Sequence, residues 1–221
     1  MTFSDLSQTV VVFDLDDTLY SEADYVRSGI QFLGRHIESL LGVDLGPQVS
    51  AALAGSEKDW LARLCASAAL PSAAKESLLW MYRLHSPTIR LTPECSRMLD
   101  ELEARAKCVA VLTDGRALTQ RLKLQSLGLA RLPAYVSEDY QSEKPDALRF
   151  RVIEKDHPAD RYVYIGDNPR KDFIACNALG WTSIGVRAPS TIHSQDLTGL
   201  PPSALPNHWI NEWQELLDLL C

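Results

Sequence analysis

The 221-residue sequence predicts an α/β protein, in which a doubly wound, Rossmann-like parallel sheet carries an inserted α-helical domain. From Leu91 onward, short apolar runs of strand length alternate with amphipathic stretches of helix length. Between the first apolar run and Leu91, the periodicity is helical throughout. Strands that are separated by helices pair in parallel through right-handed crossovers, so the long helical stretch is expected to be an insertion.

The first element is the run Val10-Val11-Val12, whose length and β-branched residues favour a buried strand. Asp14 stands where this strand ends, and Asp16 follows two residues later. Because side chains alternate along an extended chain, the two carboxylates point to the same side. Such a pair needs a cation, a shared proton or hydrogen bonds when it is buried, although acids that cap a surface turn would give the same pattern.

The insertion is predicted to be a small bundle of helices. A capping-box pattern at Ser21 precedes apolar residues at steps of three and four, which stop at Gly42. A weaker helix is expected over 47–54, and two further helices begin at Ser56 and Ser72. The predicted boundaries are 1–20 with 89–221 for the α/β core domain and 21–88 for the helical domain.

The rest of the chain alternates between the two kinds of element, and prolines with no periodicity between 188 and 207 predict an irregular loop. Helices are expected after Thr92-Pro93, over 118–127, 146–155 and 169–179, and after Asn211. Strands are expected over 108–112, 134–137, 162–165 and 182–186, with a short edge strand over 208–210.

Polar residues gather where these strands end, and the carboxyl ends of parallel strands share one crevice. Several acids together suit a hard, oxygen-binding cation such as Mg²⁺, and the lack of His and Cys pairs at ligand spacing disfavours zinc. A hydroxyl and an ammonium group suit a phosphate. In chain order the strand-end residues are Asp14, Asp16, Thr113, Asp114, Lys144, Asp167 and, further along, Asp172.

These residues form four motifs that resemble those of the haloacid dehalogenase-like (HAD) superfamily of hydrolases, in the subfamily with a C1-type helical cap. The four motifs occur in the family's order and extend over nearly the whole chain, which makes the resemblance specific. They are Asp14-Leu15-Asp16-Asp17-Thr18, Leu112-Thr113-Asp114-Gly115, Lys144-Pro145, and the segment from Gly166 to Asp172.

The resemblance implies a role for each motif residue. Asp14 would be the nucleophile that forms an aspartyl-phosphate, and Asp16 the general acid and then the base. The phosphoryl oxygens would be bound by Thr113, the Asp114 amide and Lys144. Asp114 departs from the family, which often has Asn there, so a side-chain contact with phosphate is in doubt. Mg²⁺ would be held by Asp14, the backbone carbonyl of Asp16, Asp167 and, directly or through water, Asp172.

Asp16 separates the possible reactions, because dehalogenases of this family lack the second acid. The resemblance therefore implies a Mg²⁺-dependent phosphomonoester hydrolase for a small phosphorylated metabolite such as a nucleotide, flavin mononucleotide or sugar phosphate. A phosphomutase of the same fold and a catalytically silent binding protein remain alternatives. The helical cap would close over the site and contact the leaving group. Candidate contacts, which the sequence does not rank, are Tyr20, Tyr25, Arg27, Tyr82, Arg83 and Arg90.

Composition narrows the environment and the partners. A net charge of −7 argues against general binding to nucleic acid, and no apolar run is long enough for a membrane span. Five cysteines at scattered positions, without a signal peptide, predict free thiols in the cytoplasm. The expected partner is a small-molecule phosphate ester, and the sequence carries no signal for an oligomeric state.

Overall fold

The computed structural model describes residues 5–55, 58–187 and 197–220. The chain divides into two compact units. The core unit comprises Met1–Glu22 with Arg90–Cys221, and the helical unit comprises Ala23–Ile89. Each unit therefore has its own set of elements, and the core unit is built from two separate stretches of the chain.

A six-stranded sheet in the order β3-β2-β1-β4-β5-β6 forms the centre of the core unit, and all of its pairings are parallel. This confirms the predicted doubly wound sheet. Because β1 pairs with β2 on one side and β4 on the other, the first strand in the sequence lies in the middle of the sheet. The strands are β1 Thr9–Phe13, β2 Cys108–Thr113, β3 Ala134–Val136, β4 Arg161–Gly166, β5 Thr182–Val186 and β6 His208–Ile210.

Helices connect the strands of the core unit at nearly the predicted positions. The exceptions are α7, which was not predicted, and α9, which begins at Phe173 and not at Pro169. Residues 168–172 form a turn instead, since the Asp172 amide donates to Asn168 O at 2.9 Å and the Asn168 amide donates to Asp172 Oδ2 at 2.7 Å. The core helices are α5 Pro93–Arg105, α6 Ala117–Ser126, α7 Ser137–Tyr140, α8 Leu148–Asp156, α9 Phe173–Ala178 and α10 Trp213–Leu220.

Apolar side chains bury both faces of the sheet, as expected for a parallel sheet covered by helices. Val10 and Val12 on β1 pack in one cluster with Phe150 of α8 and Phe173 of α9. Phe13 contacts Trp213 of α10, with ring centroids 6.3 Å apart. The packed apolar strands therefore hold the polar residues that follow them along one edge of the sheet.

The described residues of the helical unit form a bundle of four helices with its own apolar cluster, which includes Leu33, Ile37, Leu64 and Leu78. Asp59 caps α3, since its side chain accepts a hydrogen bond from the Ala62 amide at 3.2 Å. The predicted start at Ser56 lies outside the described residues. The helices are α1 Glu22–Leu41, α2 Gly46–Leu53, α3 Trp60–Ser67 and α4 Ala74–Arg83.

The remaining structural expectations concern the long loop, the thiols and the membrane. Residues 188–196 of the predicted loop lie outside the described residues, and 197–207 contain one short 3₁₀ helix, Pro202–Ala204. None of the described helices combines the length and apolarity that a membrane span requires. Cys221 is also outside the described residues, and the other four cysteines are free thiols: Cys65, Cys95, Cys108 and Cys176.

Candidate active site

Three neighbouring strands deliver polar side chains to the same edge of the sheet. Asp14 follows β1, Thr113 ends β2, and Asp167 follows Gly166 at the end of β4. The Asp14 amide donates to Ile165 O at 2.8 Å, which continues the pairing of β1 with β4 up to the first acid. The polar residues predicted at the ends of these strands therefore lie along one edge of the sheet.

Asp14, Asp167 and Asp172 form what we term the acidic cluster. All three are buried, and one carboxylate oxygen from each lies within 4.8 Å of the others. The Lys144 ammonium lies 2.9 Å from Asp14 Oδ1 and 2.7 Å from Asp172 Oδ1. It also donates to the Tyr164 hydroxyl at 3.0 Å. One lysine thus pairs with two of the three buried acids.

Burial and the neighbouring charges shift the pKa values of the groups in the acidic cluster. Burial raises the pKa of Asp14 to about 6, with Asp172 adding to the rise and Lys144 opposing it. Burial likewise raises the pKa of Asp167 to about 8, with further contributions from Asp14 and Asp172. The pKa of Lys144 lies well above its ordinary value because the charges of Asp14 and Asp172 outweigh its burial. A cluster with this excess of negative charge and only oxygen ligands fits a hard cation such as Mg²⁺.

Gly166 makes the close approach of Asp172 possible. A Cβ atom at this position would lie 2.6 Å from Asp172 Oδ2 and 2.9 Å from its Cγ, well inside contact distance. Asp172 itself is fully buried and is fixed by the Asn168 amide. The Gly and the second Asp of this motif are therefore coupled by packing as well as by spacing.

Asp16 has a different environment, which we term the Asp16 cluster, consisting of Asp16, Tyr20, Gln120 and Lys123. Asp16 Oδ1 accepts hydrogen bonds from the Tyr20 hydroxyl and, at 2.7 Å, from Lys123 Nζ. Asp16 Oδ2 accepts from Gln120 Nε2 at 2.8 Å. Burial raises the pKa of Asp16, but the Lys123 charge and the hydrogen bonds outweigh it, so the net pKa is lowered.

Thr113 and Asp114 occupy the end of β2 between these clusters. Thr113 is buried, and its hydroxyl accepts from Gln120 Nε2 at 2.7 Å. The Asp114 carboxylate forms an ion pair with the fully buried Arg149 and accepts from the Lys144 amide at 3.2 Å. Arg149 also donates to Thr113 O at 2.8 Å. The Asp114 side chain is thus held by protein groups, so the acid at this position is balanced by Arg149.

Of the residues predicted for metal binding, the structure brings together the carboxylates of the acidic cluster, whereas the Asp16 carboxylate lies in its own cluster. Sequence reasoning missed Gln120, Lys123 and Arg149. The first two are polar residues three positions apart on α6, where one face is buried, and this spacing could have drawn attention to them. Among the candidate contacts for the leaving group, Tyr20 belongs to the Asp16 cluster, while Tyr25 and Tyr82 pack together inside the helical unit, with ring centroids 5.5 Å apart.

Sequence comparison shows the family. Residues 8–180 match the haloacid dehalogenase-like hydrolases. A glyceraldehyde 3-phosphate phosphatase of Methanocaldococcus jannaschii is 23% identical over 95% of this chain and 96% of its own length. A ribulose-1,5-bisphosphate 5-phosphatase of Halopiger xanaduensis is 30% identical over 98 residues, which are 42% of this chain and 41% of that protein.

Solved structures of several HAD proteins share the fold. The HAD-hydrolase YfnB from Bacillus subtilis, bound to magnesium, matches with a TM-score of 0.63 and 16% identity over 98% of this chain and 97% of its own. A HAD phosphatase from Thermococcus onnurineus gives 0.60 and 18% over 94% and 95%. A 2-haloacid dehalogenase from Pseudomonas syringae gives 0.60 and 22% over 96% and 97%. Because a phosphatase and a dehalogenase share this fold, the fold alone does not identify the reaction.

Proposed function

Because the chain belongs to the haloacid dehalogenase-like hydrolases, we propose that it is a Mg²⁺-dependent phosphatase that hydrolyses a small phosphorylated metabolite through an aspartyl-phosphate on Asp14. Two relatives that carry phosphatase names support a phosphatase. The acidic cluster supports the metal requirement, because three buried carboxylates with one lysine leave negative charge to be balanced.

The observation that carries the proposal is the position of the second acid. A single amide group, Gln120 Nε2, lies 2.8 Å from Asp16 Oδ2 and 2.7 Å from the Thr113 hydroxyl. Asp16 is therefore beside the group proposed to bind the phosphoryl oxygens. An alkoxide leaving group has to be protonated as it departs, whereas a halide does not, so an acid at this point favours phosphate ester hydrolysis over dehalogenation.

The proposed reaction has two steps. Asp14 attacks phosphorus, and the bond from phosphorus to the ester oxygen breaks. Asp16 in its protonated form, which its lowered pKa makes the less populated one, supplies a proton to that oxygen. Asp16 then accepts a proton from a water molecule that attacks the phosphorus of the aspartyl-phosphate, which releases phosphate and restores Asp14. Lys144, Thr113 and the Asp114 amide would stabilise the phosphoryl oxygens in both steps.

Mg²⁺ would be held by the acidic cluster and by the backbone carbonyl of Asp16. When bound, it supplies positive charge that lets an anionic nucleophile meet an anionic substrate. The helical unit lies between the first and second motifs in the chain, which supports its assignment as the cap. Both relatives named above act on phosphorylated sugars, so sugar phosphates come first among the proposed substrates.

Phosphate release by the purified protein tests the proposal. With Mg²⁺ present, we expect turnover of p-nitrophenyl phosphate and higher kcat/KM for one of the sugar phosphates, nucleoside monophosphates or flavin mononucleotide. Halide release from 2-chloropropionate is measured in parallel. Activity toward the haloacid without any phosphate release would refute a phosphatase.

Two alternatives give different products in the same experiment. A phosphomutase would convert a sugar phosphate to its isomer with little free phosphate, which phosphorus NMR detects. A silent binding protein would release nothing from any compound and yet bind a partner. Neither alternative has a supporting observation in the structure beyond the shared fold.

A further inference from the structure

The Asp16 cluster contains two groups that the proposed reaction has not used, Gln120 and Lys123. Both lie on α6, three residues apart, and both are buried. Burial of a lysine is costly unless its charge is paired, and the ammonium of Lys123 lies 2.7 Å from Asp16 Oδ1. The side chain of Lys123 is 5% exposed, and that of Asp16 is 18% exposed. A buried cation is thus directed at an acid proposed to take part in catalysis.

The contacts fix the orientation of the Asp16 carboxylate from both sides. Lys123 and the Tyr20 hydroxyl donate to Oδ1, while Gln120 donates to Oδ2 at 2.8 Å. Rotation of the carboxylate about its last bond would break bonds at both oxygens. A general acid or base has to lie within hydrogen-bond reach of the atom that it serves, so the orientation of this side chain has a direct effect on rate.

Gln120 also contacts Thr113 and Asp114, the residues proposed to bind the phosphoryl oxygens. Its amide nitrogen lies within hydrogen-bond distance of three acceptors, Asp16 Oδ2, Thr113 Oγ1 and, at 2.8 Å, Asp114 O. Space for the amide depends on Gly115, where a Cβ atom would lie 3.2 Å from Gln120 Nε2 and where φ is +136°. The loop after β2 and the side chain of Gln120 are therefore fitted to one another.

We infer that Gln120 and Lys123 are positioning residues of the proposed phosphatase reaction, which hold the Asp16 carboxylate in the orientation needed for proton transfer to the leaving group and from water. The inference rests on the proposed function. Lys123 contacts the Asp16 carboxylate, whereas Gln120 contacts both Asp16 and the hydroxyl of Thr113 that is proposed to bind the phosphoryl oxygens. The two residues should therefore affect different kinetic constants.

Steady-state kinetics with Mg²⁺ and p-nitrophenyl phosphate tests the inference. Lys123→Met removes the ammonium but keeps an unbranched side chain, and we expect kcat to fall by about 10- to 100-fold with KM changed less than about threefold. Gln120→Leu should lower kcat and also raise KM, because Thr113 loses its donor. The matched control is Arg121→Met, since Arg121 lies on the same helix as Lys123. This change removes an exposed ion pair with Asp139 and should leave both constants near those of wild type.

A double-mutant cycle separates positioning from a general effect on structure. If Lys123 acts through Asp16, then Lys123→Met should cause almost no further loss in an Asp16→Asn background. Equal losses in both backgrounds, or an unchanged kcat in the single variant, would overturn the inference. Should Lys123→Met fail to fold, as judged by circular dichroism, the same cycle is run with Lys123→Gln.

The failure of the inference can be told apart from that of the proposed function. An active wild-type enzyme whose Lys123→Met and Gln120→Leu variants keep its kcat overturns the positioning role alone. A wild-type protein that releases no phosphate from any compound overturns the proposed function, and the positioning role with it.

Discussion

The acidic cluster and the Asp16 cluster begin only two residues apart, at Asp14 and Asp16, but their charges are balanced in opposite ways. In the acidic cluster three buried carboxylates lie close together and two of them pair with one ammonium group, and the pKa values of Asp14 and Asp167 are raised by burial and by repulsion from neighbouring acids. In the Asp16 cluster one carboxylate has an ammonium, an amide and a hydroxyl group, and its pKa is lowered.

This difference indicates that the two clusters have different roles in the proposed reaction. The negative charge of the acidic cluster fits a cation, so under the proposed function its stability and activity should depend on a metal ion. The Asp16 carboxylate has protein donors at both oxygens and should be held in place with or without the metal. Replacement of single residues and removal of the metal ion can test whether the two clusters differ in this way.

Replacement of the nucleophile should have the largest effect on activity. Asp14→Asn should reduce kcat by roughly 10⁴-fold or more, because an amide cannot form the aspartyl-phosphate. Without Mg²⁺ the variant should be no less stable than wild type in urea denaturation, since it relieves repulsion within the acidic cluster. The control is Asp139→Asn, which removes an exposed acid from an ion pair with Arg121. Activity in Asp14→Asn near that of the control would contradict the assignment.

Removal of the metal should abolish activity reversibly. With EDTA we expect no phosphate release, and excess Mg²⁺ should restore it. Mg²⁺ at 100 times its Kd should also raise Tm by about 5–10 °C, because ligand binding at that level stabilises the native state by about 2.7 kcal/mol.

Thermal unfolding of Asp167→Asn gives the comparison for this effect. The variant lacks one of the three clustered carboxylates and should show a much smaller Mg²⁺-dependent shift in Tm. Equal shifts in the wild type and the variant would place the metal site elsewhere.

Replacement of the second acid should divide the two steps of the reaction. Asp16→Asn should still be phosphorylated by p-nitrophenyl phosphate, whose leaving group departs without protonation, but the aspartyl-phosphate should be hydrolysed slowly. Stopped-flow absorbance should then show a burst of about one equivalent of nitrophenolate and little further turnover. Steady turnover at the wild-type rate would exclude Asp16 as the base.

The smallest effect on activity should come from Asp114. Asp114→Asn keeps the backbone amide and should change kcat/KM only a few-fold. The neutral amide leaves the buried Arg149 without a full counter-charge, so the free energy of unfolding should fall by about 1–3 kcal/mol in urea denaturation. Arg149→Met should restore part of this loss in the double variant, because both charges are then absent. A large loss of activity without loss of stability would instead give the carboxylate a catalytic role.

Local patterns in the sequence were sufficient to predict the strands and the residues that follow them. β1, β2 and β4 are largely apolar runs, because both of their faces are buried, and their ends could then be located to within one residue. Three of the four motifs lie at these ends, which is why Asp14, Asp167 and Asp172 could be expected near one another before their positions were known.

The same local patterns could not predict which side chains contact one another in the folded protein. The spacing of Gln120 and Lys123 on α6 is a local signal, but it does not identify Asp16, 107 positions away in the sequence, as the partner of Lys123. Arg149 stands at the start of a helix, where an arginine is ordinarily solvated, and only the fold directs it to Asp114. The start of α9 was misplaced because Asp172 and Asn168 form a turn in place of a first helical turn.

The central position of β1 has a consequence for how the chain folds during synthesis. Val10 leaves the ribosome before the helical unit, whereas its partners Cys108 and Tyr162 follow only after the whole helical unit has been made. β1 is therefore synthesised well before both of the strands that pair with it, and the high contact order of these pairings should make folding slow. Until Arg161–Gly166 has emerged, one edge of β1 is open to other chains, so incomplete or stalled chains should be the most aggregation-prone form of this protein.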